Sequence, residues 1–193
     1  YYLDKNALFA GQWQFKRNKD QSKSDYLDII SQKAEPILKE LINKIKSSDL
    51  LNPSAVYGYY PCGRKGNKLI VFDLDSKNAI GEFLFPRQKG LNRYCISDFF
   101  MDITDGKPTD FLPMQAVTMG KKASLYAQEL FEANLYSDYL YFHGLAVQLA
   151  EALAELLHSR IRIECGFSAE EPDNIRGVLA GKYRGSRYSF GYP

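Results

Sequence analysis

The residues best suited to chemistry lie at the end of the chain. The run Gly181-Lys182-Tyr183-Arg184-Gly185-Ser186-Arg187-Tyr188-Ser189-Phe190-Gly191-Tyr192-Pro193 sets glycines among arginines and tyrosines. Glycine lets a backbone approach a ligand closely or adopt positive φ. Arginine presents a planar fork that grips a carboxylate through two parallel hydrogen bonds. The plainer reading is a surface loop that is merely basic. A second candidate is Glu151, inside Leu149-Ala150-Glu151-Ala152-Leu153-Ala154-Glu155. On a helix, Val147, Glu151, Glu155, His158 and Arg162 form a mixed polar stripe along one side. Periodicity alone reads that stripe as a solvated face with weak pairing of the Glu155–Arg162 kind. The third is Asp4, in Tyr2-Leu3-Asp4, a carboxylate near a terminus and ordinarily just exposed. Trp13, the single Trp, reads as core.

Other chemistries find little support. The histidines are His143 and His158, and the three cysteines, Cys62, Cys95 and Cys165, are far apart with no Cys-x-x-Cys pair. That inventory argues against a zinc site. Each Cys has apolar or aromatic neighbours, so buried, inert thiols in a reducing, cytoplasmic setting are expected. Neither Gly-x-Gly-x-x-Gly after a strand nor a phosphate loop is present, and two histidines do not assemble a Ser/His/Asp arrangement. A net charge of +2 from 25 basic and 23 acidic residues gives no reason to expect nucleic acid. The apolar stretches are interrupted by charge, so the sequence reading expects no membrane-spanning segment and no membrane partner. The 14 Tyr and 12 Phe suggest a Tyr-rich sheet and core, or tyrosines lining a cleft where a flat ring with a polar tip is useful.

Positioning these residues falls to three textures. Asp25 to Ser48 is a helix, begun at Ser24 and carrying Ile29, Ile30, Ala34, Ile37, Leu38, Leu41, Ile42 and Ile45 at helical spacing. Pro36 should kink it or split it in two. From Ala55 to Val117 short β-like runs follow: Ala55–Tyr60, a turn at Cys62–Asn67, Lys68–Asp73, Ile80–Phe85, Tyr94–Phe99 and Phe111–Val117. Such short connections favour antiparallel pairing. From Lys122 the chain is helical again, with one helix marked by Leu125, Leu130 and Phe131. A long second helix runs from about Ser137 through Ile163, its apolar face being Leu145, Leu149, Ala152, Leu153, Leu156 and Leu157. Pro172-Asp173-Asn174 starts a short helix through Leu179, and a loop completes the chain. Helices, strands, then helices is an α+β pattern. With 193 residues, one domain is expected. A first residue of Tyr1 rather than Met suggests a piece of something longer.

In order along the chain, Tyr2-Leu3-Asp4, Phe85-Pro86-Arg87-Gln88, Ile96-Ser97-Asp98-Phe99, Leu149–His158 and Tyr183–Pro193 resemble the activation domain of vitamin B12-dependent methionine synthase. The likeness spans nearly the whole chain, and the ending from Arg187 to Tyr192 is similar to the family's Arg-x-x-x-Gly-Tyr signature. The resemblance implies a C-shaped α+β domain with a twisted antiparallel sheet flanked by helices, single over 1–193 and continuing past Pro193. It implies binding of S-adenosylmethionine, with Asp4, Glu151, Arg187, Gly191 and Tyr192 as cofactor-binding residues and no catalytic residue or metal. It implies presentation of the methyl group for reductive methylation of cob(II)alamin, the cobalamin being bound by another domain of the same polypeptide. It implies that a flavodoxin- or ferredoxin-type donor supplies the electron. The domain then belongs to an enzyme only through its parent. The alternative is a stand-alone interaction module that docks on a cobalamin protein without binding the ligand.

Overall fold

In the computed structural model, residues 1–75 and 77–189 are described. The chain divides into two compact units, one of Tyr1–Ala55 with Ala116–Pro193, the other Val56–Gln115. The fold is α+β, with a four-stranded sheet and helices before and after it in sequence.

The first unit is helical. Ser22 caps helix α1 (Lys23–Ile29), its side chain accepting from the Asp25 N–H, so the helix starts two residues earlier than Ser24 would place it. The helical path passes through a π-type segment, Ile30–Ala34, into α2 (Glu35–Ser48). Pro36 lies in the first turn of α2, where a missing N–H is tolerated, and the expected split occurs just before it. Helix α3 (Lys121–Glu132) leads into α4 (Tyr136–Glu164), and Asn174 caps α5 (Ile175–Leu179) by accepting from the Gly177 N–H.

Two apolar clusters hold this unit. In one, Leu8, Phe9 and Trp13 meet Ala34, Leu38 and Leu145; in the other, Met119, Ala123, Ala127 and Leu130 surround Phe142. Trp13 donates from Nε1 to the Tyr141 carbonyl at 2.9 Å. At Gly144 the N-terminal segment lies so close that a Cβ would stand 2.8 Å from the Gln12 Cβ and 3.0 Å from the Trp13 ring. The expected apolar face of α4 holds only in its first half. Leu145 is fully buried and Leu149 and Leu153 pack against the clusters, but Leu156 is 46% exposed. In the second half Glu155, His158, Ser159 and Arg162 are buried instead. By length and composition α4 is apolar enough to cross a membrane, contrary to the sequence reading. Its packing against α3 and the N-terminal segment makes it the central helix of its unit.

The second unit carries the sheet. Strands β1 (Ser54–Lys65), β2 (Lys68–Phe72), β3 (Ala79–Leu84) and β4 (Asp110–Thr118) lie in the order β3-β2-β1-β4. Antiparallel register sets Cys62 opposite Val71 and Lys65 opposite Lys68, and then Lys68 opposite Leu84. The turn between β1 and β2 is confined to Gly66-Asn67, so Cys62–Lys65 are strand rather than turn. Tyr94–Phe99 is not a strand. Ile96–Phe99 is a 3₁₀ turn in which the Asp98 carboxylate reaches back to the Cys95 N–H, an arrangement that competes locally with ladder bonds. Cys62 and Cys95 are buried, whereas Cys165 is partly exposed and departs from the expected burial. Burial pushes the Cys62 thiol up to about 12.

Candidate functional site: a charged cluster on the long helix

Two of the sequence candidates meet in the first unit. Arg187, in the final loop, donates from Nη1 to Glu151 Oε2 on α4 at 2.9 Å, a contact that spans 36 residues of chain. Its Nε lies 3.6 Å from Glu155 Oε2. That Nε–H is buried and has no hydrogen-bond acceptor among the described residues.

Beneath this pair lies a network centred on Arg162, a side chain only 3% exposed. Its Nε donates to Glu171 Oε1, and its Nη2 donates to Glu171 Oε2 at 2.9 Å. Ser159 adds a hydroxyl bond to the same Glu171 oxygen at 2.9 Å. These donors hold the Glu171 carboxyl below its ordinary range, the Arg162 bond being the largest cause. The Arg162 Nη1 stands 3.4 Å from Glu155 Oε1 and 2.7 Å from His158 Nδ1. Arginine can only donate, so Nδ1 must accept, and the imidazole is neutral. Burial, then the charges of Arg162 and Arg187, bring the His158 pKa down to about 4. Tyr183 closes the network. Its ring lies 3.6 Å from the Arg162 guanidinium carbon, and its hydroxyl donates to Glu155 Oε2 at 3.2 Å.

Asp4 is engaged elsewhere. Its Oδ1 accepts from the N–H groups of Asn6 and Ala7 at 2.9 and 3.1 Å, which makes it the cap of the first helical turn. Among the described residues its side chain has no hydrogen bond to Glu151 or Arg187. Gly191 and Tyr192 lie outside the described residues. Two surface hollows flank these groups. One is lined by Leu3, Lys5, Glu35 and Leu38 among others, the second by Glu170, Gly181, Lys182, Tyr183 and Arg184; neither is lined by Asp4, Glu151 or Arg187.

The second unit has a charged cluster of its own, which residue types alone did not single out. Arg87 grips Asp98 with two bonds of 2.6 and 2.7 Å, joining the Phe85–Gln88 and Ile96–Phe99 segments. Arg64 bonds Asp102 in the same two-pronged way and reaches Asp98 at 3.2 Å. The Arg87 bond above all brings the Asp98 pKa down to about 2. These ion pairs tie the Phe85–Gln88, Ile96–Phe99 and Asp102 segments to β1.

The helical unit of this α+β fold gathers carboxylates and arginines around one loop. The comparisons then identify it. The family model described as vitamin B12 dependent methionine synthase, activation domain, matches residues 2–193, and the chain belongs to that family. It is 38% identical to methionine synthase of Mycobacterium tuberculosis (strain ATCC 25618 / H37Rv) and 36% identical to that of Mycobacterium leprae (strain TN). These matches cover 98% and 99% of this chain, which spans 17% of the length of each relative. Among solved structures, a crystal structure of the MetH reactivation domain bound to AdoHcy is similar, with a TM-score of 0.80 and 26% identity. The match covers 100% of this chain and 61% of that one.

Proposed function

We propose that this chain binds S-adenosylmethionine at the cluster centred on Arg187 and so serves the reactivation of a cobalamin-dependent methionine synthase. The observation that carries the reading is the Arg187–Glu151 contact, made across 36 residues, in a fold whose solved neighbour was crystallised with AdoHcy. The ligand has an α-carboxylate, an α-ammonium and a sulfonium. Arg187 takes the carboxylate through the planar fork of its guanidinium. Glu151, released from Arg187, answers the ammonium or the ribose hydroxyls. Asp4 enters the reading through the family resemblance alone, its Oδ1 being committed to the backbone. Gly191 and Tyr192 enter it through the family signature.

When bound, S-adenosylmethionine supplies the methyl group for the reductive methylation of cob(II)alamin. The cobalamin sits on another domain of the same polypeptide, and a flavodoxin- or ferredoxin-type protein donates the electron. The chain's own part is to bind and orient the ligand. Calorimetric titration of the parent polypeptide with AdoHcy tests this. Arg187→Ala should weaken binding by about 1.5–3 kcal/mol, the range for a bond to a charged group. Unchanged affinity would remove Arg187 from the site, and absence of binding in the unsubstituted protein would leave the interaction-module alternative.

A further inference from the structure

The buried network does something that packing alone would not require. A core is usually no less stable when a buried ion pair is replaced by apolar side chains of the same volume. What charged groups add is direction, because each oxygen and each N–H has a fixed angle. Glu155 shows this division of labour. Its Oε1 faces Arg162 at 3.4 Å. Its Oε2 accepts from Tyr183 at 3.2 Å and faces the Arg187 Nε at 3.6 Å. One carboxylate thus links the most buried arginine to the arginine of the proposed site. Arg162 is in turn fixed by Glu171 on both prongs and covered by the Tyr183 ring. Tyr183 stands four residues before Arg187, so the same contacts anchor the start of the loop that carries it.

We propose that Glu155, held by Arg162 and Tyr183, is a positioning residue that sets the direction in which Arg187 presents its guanidinium to the ligand's carboxylate. The proposal rests on Arg187 being the carboxylate contact. Glu155 does not touch the ligand; it acts through Arg187.

The test compares two probes on the parent polypeptide. AdoHcy carries the amino-acid carboxylate and ammonium, while 5′-methylthioadenosine keeps the nucleoside and the thioether but lacks both. Tyr183→Phe removes the hydroxyl bond to Glu155 and keeps the ring over Arg162. Glu155→Gln keeps the shape and removes the charge. Thermal melting establishes that each variant is folded, and if Glu155→Gln does not fold, Tyr183→Phe decides. Each variant should bind AdoHcy about tenfold more weakly, the scale of one lost hydrogen bond to a charged group. Affinity for 5′-methylthioadenosine should change by less than about twofold, because the nucleoside end does not depend on Arg187. A merely structural role would lower both affinities together, and that result, or no change in either, overturns the proposal. Arg187→Ala separates the two levels of the argument. If it leaves AdoHcy binding intact, the site reading fails and takes this inference with it. If it weakens AdoHcy binding while Tyr183→Phe and Glu155→Gln do not, the inference alone fails.

Discussion

Two glutamates one helical turn apart on α4 have very different surroundings. The Glu151 side chain is 32% exposed and pairs with Arg187, while that of Glu155 is 10% exposed and lies among buried partners. Glu151→Gln keeps the shape and removes the charge, so thermal stability should stay within about 0.5 kcal/mol while affinity for AdoHcy falls. A large stability loss with unchanged affinity would make Glu151 structural instead. Arg162→Met is the opposite case. It leaves Glu171 without its cation and Glu155 with Arg187 alone, and chemical denaturation should register a loss of about 3–5 kcal/mol; a loss under about 1 kcal/mol would mean the network is loosely solvated. The stripe Glu151, Glu155, His158, Arg162 was legible as a stripe, but its burial was not. Spacing along one helix says nothing about Glu171 and Tyr183, which arrive from later in the chain and let the charges leave water. Asp4 was legible only as a carboxylate near a terminus, because its capping role depends on the turn that follows it.

Elements were easier to read than their faces. The long helix expected over Ser137–Ile163 is Tyr136–Glu164, and β2, β3 and β4 lie within a residue or so of the predicted runs. Hydrophobic periodicity and breakers suffice there, as with Pro36. Tyr94–Phe99 misled because its aromatic and branched residues mimic a strand, whereas Arg87 and the Cys95 N–H recruit Asp98 into a turn. Gly144 gives a test at this scale. Alanine there improves helix propensity by up to about 1 kcal/mol. Its Cβ would meet Gln12 and Trp13 at 2.8 and 3.0 Å, both belonging to a tightly packed segment. Overpacking of this kind costs about 1–3 kcal/mol, so Gly144→Ala should lower the denaturation midpoint. An unchanged or raised midpoint would show that the N-terminal segment yields without cost.

For the molecule as a whole, acid should act on the two units in different pH ranges. In the first unit His158 titrates at about 4 when folded and at its ordinary 6.5 when unfolded. The unfolded chain therefore takes up the proton first, so stability falls as pH drops from 6.5 to 4 and is fully present above that window. The loss is on the order of 3 kcal/mol for a shift of this size. In the second unit Asp98 has its pKa lowered to about 2, so the stability its pairing contributes is present above the ordinary carboxylate range and is lost only as pH falls below 4. Trp13, the single tryptophan, reports the first unit alone. Its fluorescence melt should move down between pH 6.5 and 4, and His158→Gln should flatten that slope. Amide exchange in β2 should change little over the same range. A fluorescence melt that is flat with pH in the unsubstituted protein would place the His158 ring in contact with solvent.

Helix α4 also fixes which kinds of sequence change the domain can absorb. Gly144 and Leu145 set one end of the helix against the N-terminal segment, while Glu151, Glu155 and Arg162 must face the final loop at the other. The two ends share one angular phase, and each residue advances that phase by about 100°. Exchanging one side chain leaves the phase intact. A single alanine inserted between Leu145 and Glu151 would swing the whole charged end by more than a quarter turn relative to the core. Related domains should therefore tolerate exchanges at helix positions outside these contacts while keeping the length between Gly144 and Arg162 constant, with insertions and deletions displaced into the loops on either side.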